Sequence, residues 1–371
     1  MSADDLPPEP DKLDGAPHPR EARELYGQQA AEAAFLDAVT GDRLHHGWLI
    51  TGPKGIGKAT LAWRLARFLI ATPPPQDDGL FGAPPPPTTL DIDPDHPVAR
   101  RILARSESGL FSLTRSVVET TGRMSREIRI EDVRKLRGFF GMSAVDGGRR
   151  VVIVDAADEM NPNAANAILK LLEEPPENAV ILMIAHQPSR LLPTIRSRCR
   201  VLRCEPLGPA DLDAALTQAG VMPSNPDALT ALAAGSAGAA VRLETEGGAE
   251  AYGQILSLLS NLPKLDRPAA KAFSDSVAGR GVETRLALVL DLLDIALARL
   301  ARTGVAGPPM PEANEGEAAL LTRLSPDANA ARRWAELAQS LGERARRGAA
   351  VNLDPAGLIF DTLLKIEESA K

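Results

Sequence analysis

Aromatic side chains are scarce in this chain, 4% of 371 residues. That is too few for the stacked rings that grip single-stranded nucleic acid without sequence preference. Positive charge is not in excess either: 42 Lys and Arg face 49 Asp and Glu, a formal charge of -7. A protein that holds nucleic acid by its own bulk charge is excluded, whereas one whose partners supply the positive surface is not. Only two cysteines occur, Cys199 and Cys204, with no pair of Cys-x-x-Cys motifs. They build neither a disulfide scaffold nor a four-cysteine zinc site, and they suit a reducing cytosol. Long apolar runs are missing too. The cleanest, Ala179 to Ala185, is strand-length and far short of a bilayer span. The start, MSADDLPPEP, has neither the basic region nor the apolar region of a secretion signal. What is present is an ordinary globular balance, 44% hydrophobic and 25% charged, in a length that suits two or three domains. The expectation is a cytoplasmic, multi-domain protein with no membrane partner.

Along the chain, residues 1–19 are rich in Asp and Pro without any period and read as a disordered tail. From Arg20 to Thr40 the apolar spacing suits a helical stretch interrupted near Gly27. GWLIT (Gly47 to Thr51) is a short buried strand that runs into GPKGIGK and then into the apolar helix ATLAWRLARFLIA. Residues 72–97 hold two proline runs, Pro73 to Pro75 and Pro84 to Pro87, and read as an exposed extended insertion. Three further strands follow: RRVVIVD, AVILMIA and RVLRC. Between the first two, Asn161 caps a helix whose first residue is Pro162 and which Pro175 and Pro176 stop. A short helix near Ser189 to Arg196 precedes the last strand. Alternation of this kind indicates a parallel sheet covered on both faces. After Pro206 only helical patterns remain, the longest from Val282 to Ala301.

The glycine loop carries the strongest chemical signal. Backbone N–H groups around Gly52, Gly55 and Gly57 can wrap phosphate oxygens, the following helix adds its positive end, and Lys58 reaches the terminal phosphates. Yet Ala59 stands where Ser or Thr would hold Mg²⁺, and Thr60 is one residue too late. Asp155 ends the second strand, where an aspartate would orient Mg²⁺ through water, but Ala156 follows it instead of a water-activating Glu. Asp158 and Glu159 come later, in the turn. The pattern retains a nucleotide site in outline and disarms it for hydrolysis. Whether ATP with Mg²⁺ still occupies it stays open at this level.

A second signal is basic. Arg190, Arg196, Arg198, Arg200 and Arg203 occur with no acid until Glu205. An arginine offered to a neighbour's γ-phosphate is permanently charged and planar, as that task requires, while a solvated basic loop is the plainer alternative. Cys199 and Cys204 read as buried thiols, and His45-His46 as loop histidines; no metal site is expected.

LHHGWLITGPKGIGK, VVIVDAADEMNPNAANAILKLLEEPPENAVILMIA and LLPTIRSRCR together resemble the clamp-loader subunits of bacterial DNA polymerase III, from about Arg20 to Arg203. Leu172 to Pro176 (LEEPP) with the downstream Ser197-Arg198-Cys199 is specific to this family rather than to P-loop proteins at large. Ala59, Ala156 and the missing second sensor arginine favour the delta-prime branch over the gamma/tau motor branch. Gly238 stands near that arginine's place, and Arg242 comes too late. The resemblance implies an AAA+ α/β base domain at residues 20–206, a helical lid at 207–248 and a helical collar at 249–371. It implies a stator that inserts Arg198 into a neighbouring motor subunit's ATP site, within a hetero-pentamer of gamma/tau and delta subunits. That assembly would load the sliding clamp on primed DNA in the replisome. The four-cysteine zinc module of many relatives is replaced by the proline insertion, so zinc is not expected. Two other readings are weighed: a working ATPase motor using Thr60 with Asp158 or Glu159, and a stand-alone P-loop kinase or GTPase.

Overall fold

Runs of aliphatic residues with no polar face make strands that must be covered on both sides, and this requirement organises the first half of the chain. The computed structural model describes residues 9–41, 43–72, 85–118, 122–141, 148–277, 282–350 and 354–371. Seven strands occur among them: β1 (Gly47–Thr51), β2 (Leu110–Leu113), β3 (Val117–Val118), β4 (Arg123–Met124), β5 (Arg150–Val154), β6 (Ala179–Ala185) and β7 (Arg200–Arg203). Five form a wholly parallel sheet in the order β2-β5-β6-β1-β7, and β3 pairs with β4 in a small antiparallel ribbon.

Alternate residues of each strand point to opposite faces. Trp48, Ile50, Ile153 and Leu182 meet Phe35 of α1 (Gln29–Thr40) and Leu61, Leu65 and Phe68 of α2 (Lys58–Ala71) on one face. α3 (Pro97–Leu103) adds Val98 and Ile102 to the same core. On the other face Leu49, Val152, Ile181 and Met183 meet Leu136 of α4 (Ile130–Gly141), Ile168 and Leu172 of α5 (Pro162–Glu173), and Ile195 of α6 (Pro193–Arg196). Each such side chain, fully buried, contributes roughly 1.5 to 3 kcal/mol. α5 starts as its sequence requires: the Asn161 side chain accepts from the Ala164 N–H at 2.9 Å, with Pro162 in the first turn. Gln28 clips two loops together, donating to the carbonyls of Ile56 (3.0 Å) and Glu205 (2.8 Å) and accepting from the Glu205 N–H at 3.0 Å.

Three expectations need correction. The proposed tail of residues 1–19 is placed from Glu9 onward, as a strap ending in a 3-10 turn at Pro19–Glu21. Arg20 grips both oxygens of Glu9 at 2.5 and 3.2 Å, and Arg105 reaches the same carboxylate at 2.6 Å. His18 is buried, accepts from the Arg20 N–H, contacts Asp11 at 3.1 Å and meets Trp63 edge-on. Charge pairing, rather than apolar period, holds this segment down. Second, of the insertion at 72–97, Pro73 to Pro84 lie outside the described residues, Pro85 and Pro86 are exposed, and Leu90 already returns to the core.

Third, the chain divides into two compact units at other points than residue 206: Met1–Gly220 with Gly235–Gly238, and Val221–Ala234 with Ala239–Lys371. α7 (Pro209–Gln218) stays with the sheet because Gln218 exchanges two hydrogen bonds with the Glu24 backbone, at 2.9 and 3.0 Å. The second unit is all helical: α8 (Pro226–Ala233), α9 (Ala237–Thr245) from Ala239 onward, α10 (Gly248–Ser260), α11 (Arg267–Ser276), α12 (Val282–Ala306), α13 (Glu317–Leu324), α14 (Ala328–Ala350) and α15 (Pro355–Ser369). Within it, side chains bridge the segments before and after residue 248. Arg242 pairs with Asp291 at 2.5 Å, Arg285 donates to the Glu246 carbonyl at 2.9 Å, and Arg299 donates to that of Ala231 at 3.3 Å. Buried Glu317 accepts from Tyr252 (2.6 Å), Arg299 (2.7 and 2.9 Å) and the Ala313 N–H (2.7 Å), a fully satisfied charge. Among the described residues no helix is long and apolar enough to cross a membrane. The expected fold class, a P-loop α/β domain followed by helices, is the one observed.

Candidate phosphate loop and arginine site

β1 delivers the chain to the glycine loop, and α2 begins at Lys58. Gly55 and Gly57 have φ of +80° and +100°, conformations that a side chain would strain. Lys58 is buried. Its Nζ donates to the Gly52 carbonyl at 2.7 Å and to that of Pro53, so the ammonium is satisfied by the loop itself. Burial pushes its pKa down to about 8. From outside, Ser236 donates to the Lys54 carbonyl and the Gly238 N–H to that of Gly55, each at 2.9 Å. A Cβ on Gly238 would come within 2.9 Å of the Gly55 Cα. The missing sensor arginine therefore has no room at 238, and Arg242 is held by Asp291 and, at 3.6 Å, by Glu246.

The positions around the loop lack hydrolytic equipment. Ala59 packs against the core. Thr60 lies one residue on, about 100° further round the helix, so its hydroxyl points elsewhere. Asp155 follows β5, anchored by its N–H to the Leu113 carbonyl at 3.0 Å. Desolvation pushes its carboxyl up to about 7, reinforced by the negative charges of Asp11 and Glu159 and opposed by Lys58 and Lys54. Ala156 is buried and offers no carboxylate. Asp158 spends both oxygens capping the end of β6, accepting from the N–H groups of His186 (3.0 Å) and Gln187 (2.9 Å). Glu159 pairs with Arg115 at 2.9 Å. The two acids that a motor reading would recruit are thus committed elsewhere. One hydroxyl ligand for Mg²⁺ is missing from this donor set, at Ala59, and Asp155 is the carboxylate that remains beside the loop. Among the described residues no group of three or more His, Cys, Asp or Glu could hold a metal ion.

Arg198 lies at the other end of the sheet. It follows α6 and precedes β7, whose register against β1 aligns Arg200 with Trp48 and Arg203 with Thr51. Arg200 is already four strand residues, about 13 Å, from Cys204 beside the loop, and Arg198 lies beyond it. Arg198 therefore cannot serve its own phosphate loop. Its side chain is 38% exposed, and the guanidinium rests on Glu173 at 3.0 Å and the Thr194 carbonyl at 3.1 Å. A half-exposed pair of this kind is worth about 1 kcal/mol or less, so it positions the arginine without trapping it. Of the other arginines, Arg190 ends a 3-10 turn, Arg196 ends α6, and Arg200 covers the Trp48 ring at 5.2 Å. Cys204 is buried and Cys199 half-buried; burial pushes their thiols up to about 11 and 12. His45 and His46 stack, and His46 donates to the Leu172 carbonyl. The residues that local sequence reading missed are the strap's His18 and Arg20, which pair with Asp11 and Glu9 of the strap itself, with Arg105 joining Arg20 on the Glu9 carboxylate.

Residues 27–208 match the family described as DNA polymerase III, delta subunit. The DNA polymerase III subunit delta' of Pseudomonas aeruginosa is 37% identical over 223 residues, 59% of this chain and 62% of that protein. Subunit delta' of Bacillus subtilis is 30% identical over 189 residues, 51% of each chain. The gamma/tau subunit of Mycobacterium tuberculosis strain H37Rv is 29% identical over 183 residues, 48% of this chain and 28% of that one. The chain spans between half and two thirds of the length of these delta' relatives. Its sheet order, with the phosphate loop leaving the strand between β6 and β7, is that of an AAA+ α/β domain. Sequence likeness and a phosphate loop lacking the motor positions converge: residues 27–208 match the DNA polymerase III delta-subunit family, and over them the chain is similar to delta' subunits.

Proposed function

We propose that this chain is the non-hydrolysing stator of a DNA polymerase III clamp loader. It stands beside a gamma/tau motor subunit in a hetero-pentamer that also holds delta, and it completes that neighbour's ATP site with Arg198. One observation carries the reading: Arg198 and the chain's own phosphate loop sit at opposite ends of one sheet, so this guanidinium can act only on another molecule's phosphates. Ala59 and Ala156, with Asp158 and Glu159 already engaged, support the absence of turnover at its own loop. DNA would be held by the ring as a whole, in keeping with a charge of -7 on this chain. The sliding clamp and primed DNA would be met through the assembly, in the cytoplasm.

The test is DNA- and clamp-stimulated ATP hydrolysis by the reconstituted loader, with this chain as wild type and as Arg198→Ala. A finger of this type is worth roughly 10³ to 10⁵ in rate at the site it completes. The expected result is silence at that one site with assembly unchanged by sizing. An unchanged rate in an intact assembly would overturn the finger assignment. Hydrolysis by the isolated chain that Lys58→Ala abolishes would instead establish the motor reading.

A further inference from the structure

The strap is seated by charge and not by main chain. Among the described residues its backbone hydrogen bonds run only within residues 9–22: Lys12 to Glu9, Ala16 to Leu13, Glu21 to His18 and Ala22 to Pro19. Its two buried residues, His18 and Arg20, are both polar, so apolar burial contributes little to its seat. Three elements outside it supply the hold. Arg105, just after α3, reaches Glu9 at 2.6 Å; Arg67 of α2 donates to the Arg20 carbonyl at 2.8 Å; and Trp63 of α2 meets the His18 ring. Glu9 is the hub, gripped by Arg20 from within the strap and by Arg105 from the body.

The chain that leaves the strap runs straight to the phosphate loop. Leu25 rests on the last glycine of that loop: a Cβ on Gly57 would come within 3.1 Å of the Leu25 Cδ1. Gln28 then donates to the Ile56 carbonyl at 3.0 Å and accepts from the Glu205 N–H. Between Glu21 and Gln29 the backbone forms neither helix nor strand, so contacts with its surroundings set its path. Residues 22–28 are thus a tether of at most about 25 Å. The Glu9 grip lies at one end and the end of the phosphate loop at the other. A tether this short carries slack from one end to the other.

We propose that the strap is an electrostatic latch on the phosphate loop. Closed, the Glu9 grip keeps Leu25 seated on Gly57 and Gln28 on Ile56. When the grip is screened or broken the tether lifts, and the loop loses two of the contacts that hold its shape. The order of the loop therefore follows ionic strength. The latch uses neither Arg198 nor a second molecule, so it does not depend on the stator reading.

Amide exchange of the full chain, resolved by nuclear magnetic resonance, tests this, because it reads local opening residue by residue. The Arg20 N–H, bonded to the His18 ring, reports the strap, and the Glu205 N–H, bonded to Gln28, reports the tether at the loop. The Ile181 N–H, bonded to the His46 carbonyl at 2.7 Å in the sheet, is the reference. Raising sodium chloride from about 0.1 to about 1 M shortens the screening length from about 10 to about 3 Å. In the wild type this should speed exchange at Arg20 and Glu205 about tenfold against Ile181, a reading that requires no variant to fold. Glu9→Gln at low salt should do the same, tenfold being the low end for a hydrogen bond to a charged group. Salt should then add little in that variant. Faster exchange at Arg20 alone would mean that the Gln218 bonds to Glu24 isolate the loop from the strap, and would overturn the proposal. So would unchanged exchange at both amides, equal acceleration at Ile181, or a full further salt effect in Glu9→Gln.

Discussion

The two ends of the central sheet are built on opposite plans. At the C-terminal end of β1, the lysine made for phosphate is buried and bonded to its own loop, and the neighbouring positions are alanines. At the N-terminal end of β7, an arginine stands partly exposed on a single surface ion pair. Both ends carry cations, yet one cation is satisfied internally and the other is available to a second molecule. Catalytic capacity in such a chain has to be judged by where each charge spends its hydrogen bonds. A motif match alone would rank the glycine loop first.

The sharpest way to break this contrast is at Arg198. Arg198→Lys in the reconstituted loader should restore little of the rate that Arg198→Ala removes, because an ammonium lacks the planar fork. Lysine that works as well as arginine would make the residue a mere positive charge. At the closed end, Gly238→Ala should destabilise the first unit by about 1 to 3 kcal/mol through overpacking against Gly55. Thermal unfolding of the full chain reads this, and an unshifted transition would mean the loop is not pressed from outside.

Asp155→Asn offers a comparable effect with a pH signature. The folded carboxyl titrates near 7 and an unfolded one near 3.9, so the native state binds this proton more tightly. Wild-type stability therefore falls, relative to the variant, as pH rises from about 4 to 7. Above pH 7 the variant should be the more stable by on the order of 2 to 4 kcal/mol, the difference vanishing near pH 4. A difference independent of pH would remove the buried carboxyl from the account. The smallest effect belongs to Glu173→Ala, which frees the Arg198 guanidinium from its resting partner. It should change loader ATPase by about twofold or less, in line with the small worth of an exposed pair. A collapse of activity would show that Glu173 orients the finger.

Much of the first unit was legible in the sequence because its signals are local. β1 into the glycine loop into α2, the Asn161-Pro162 helix start, and the all-aliphatic β6 each announce themselves within a few residues. β2 was not, since Leu110 to Leu113 is a four-residue edge strand interrupted by Ser112 and surrounded by polar residues. The strap was misread because its order comes from ion pairs, one of them to Arg105 far along the chain, and no periodicity encodes that. The unit boundary moved because Gln218 bonds back to Glu24, a pairing of distant residues that composition cannot reveal. At the candidate site, residue identities gave the missing hydroxyl and glutamate. That Asp158 and Glu159 are spoken for is a matter of three-dimensional bonding alone.

The Gln28 amide joins the glycine loop at Ile56 to the exit of β7 at Glu205. Since β7 is also zipped to β1 along its length, the arginine end and the loop end form one stiff strut. A force applied at Arg198 would then pass through the sheet to the loop side with little compliance, and the sheet would act as a spacer of fixed length.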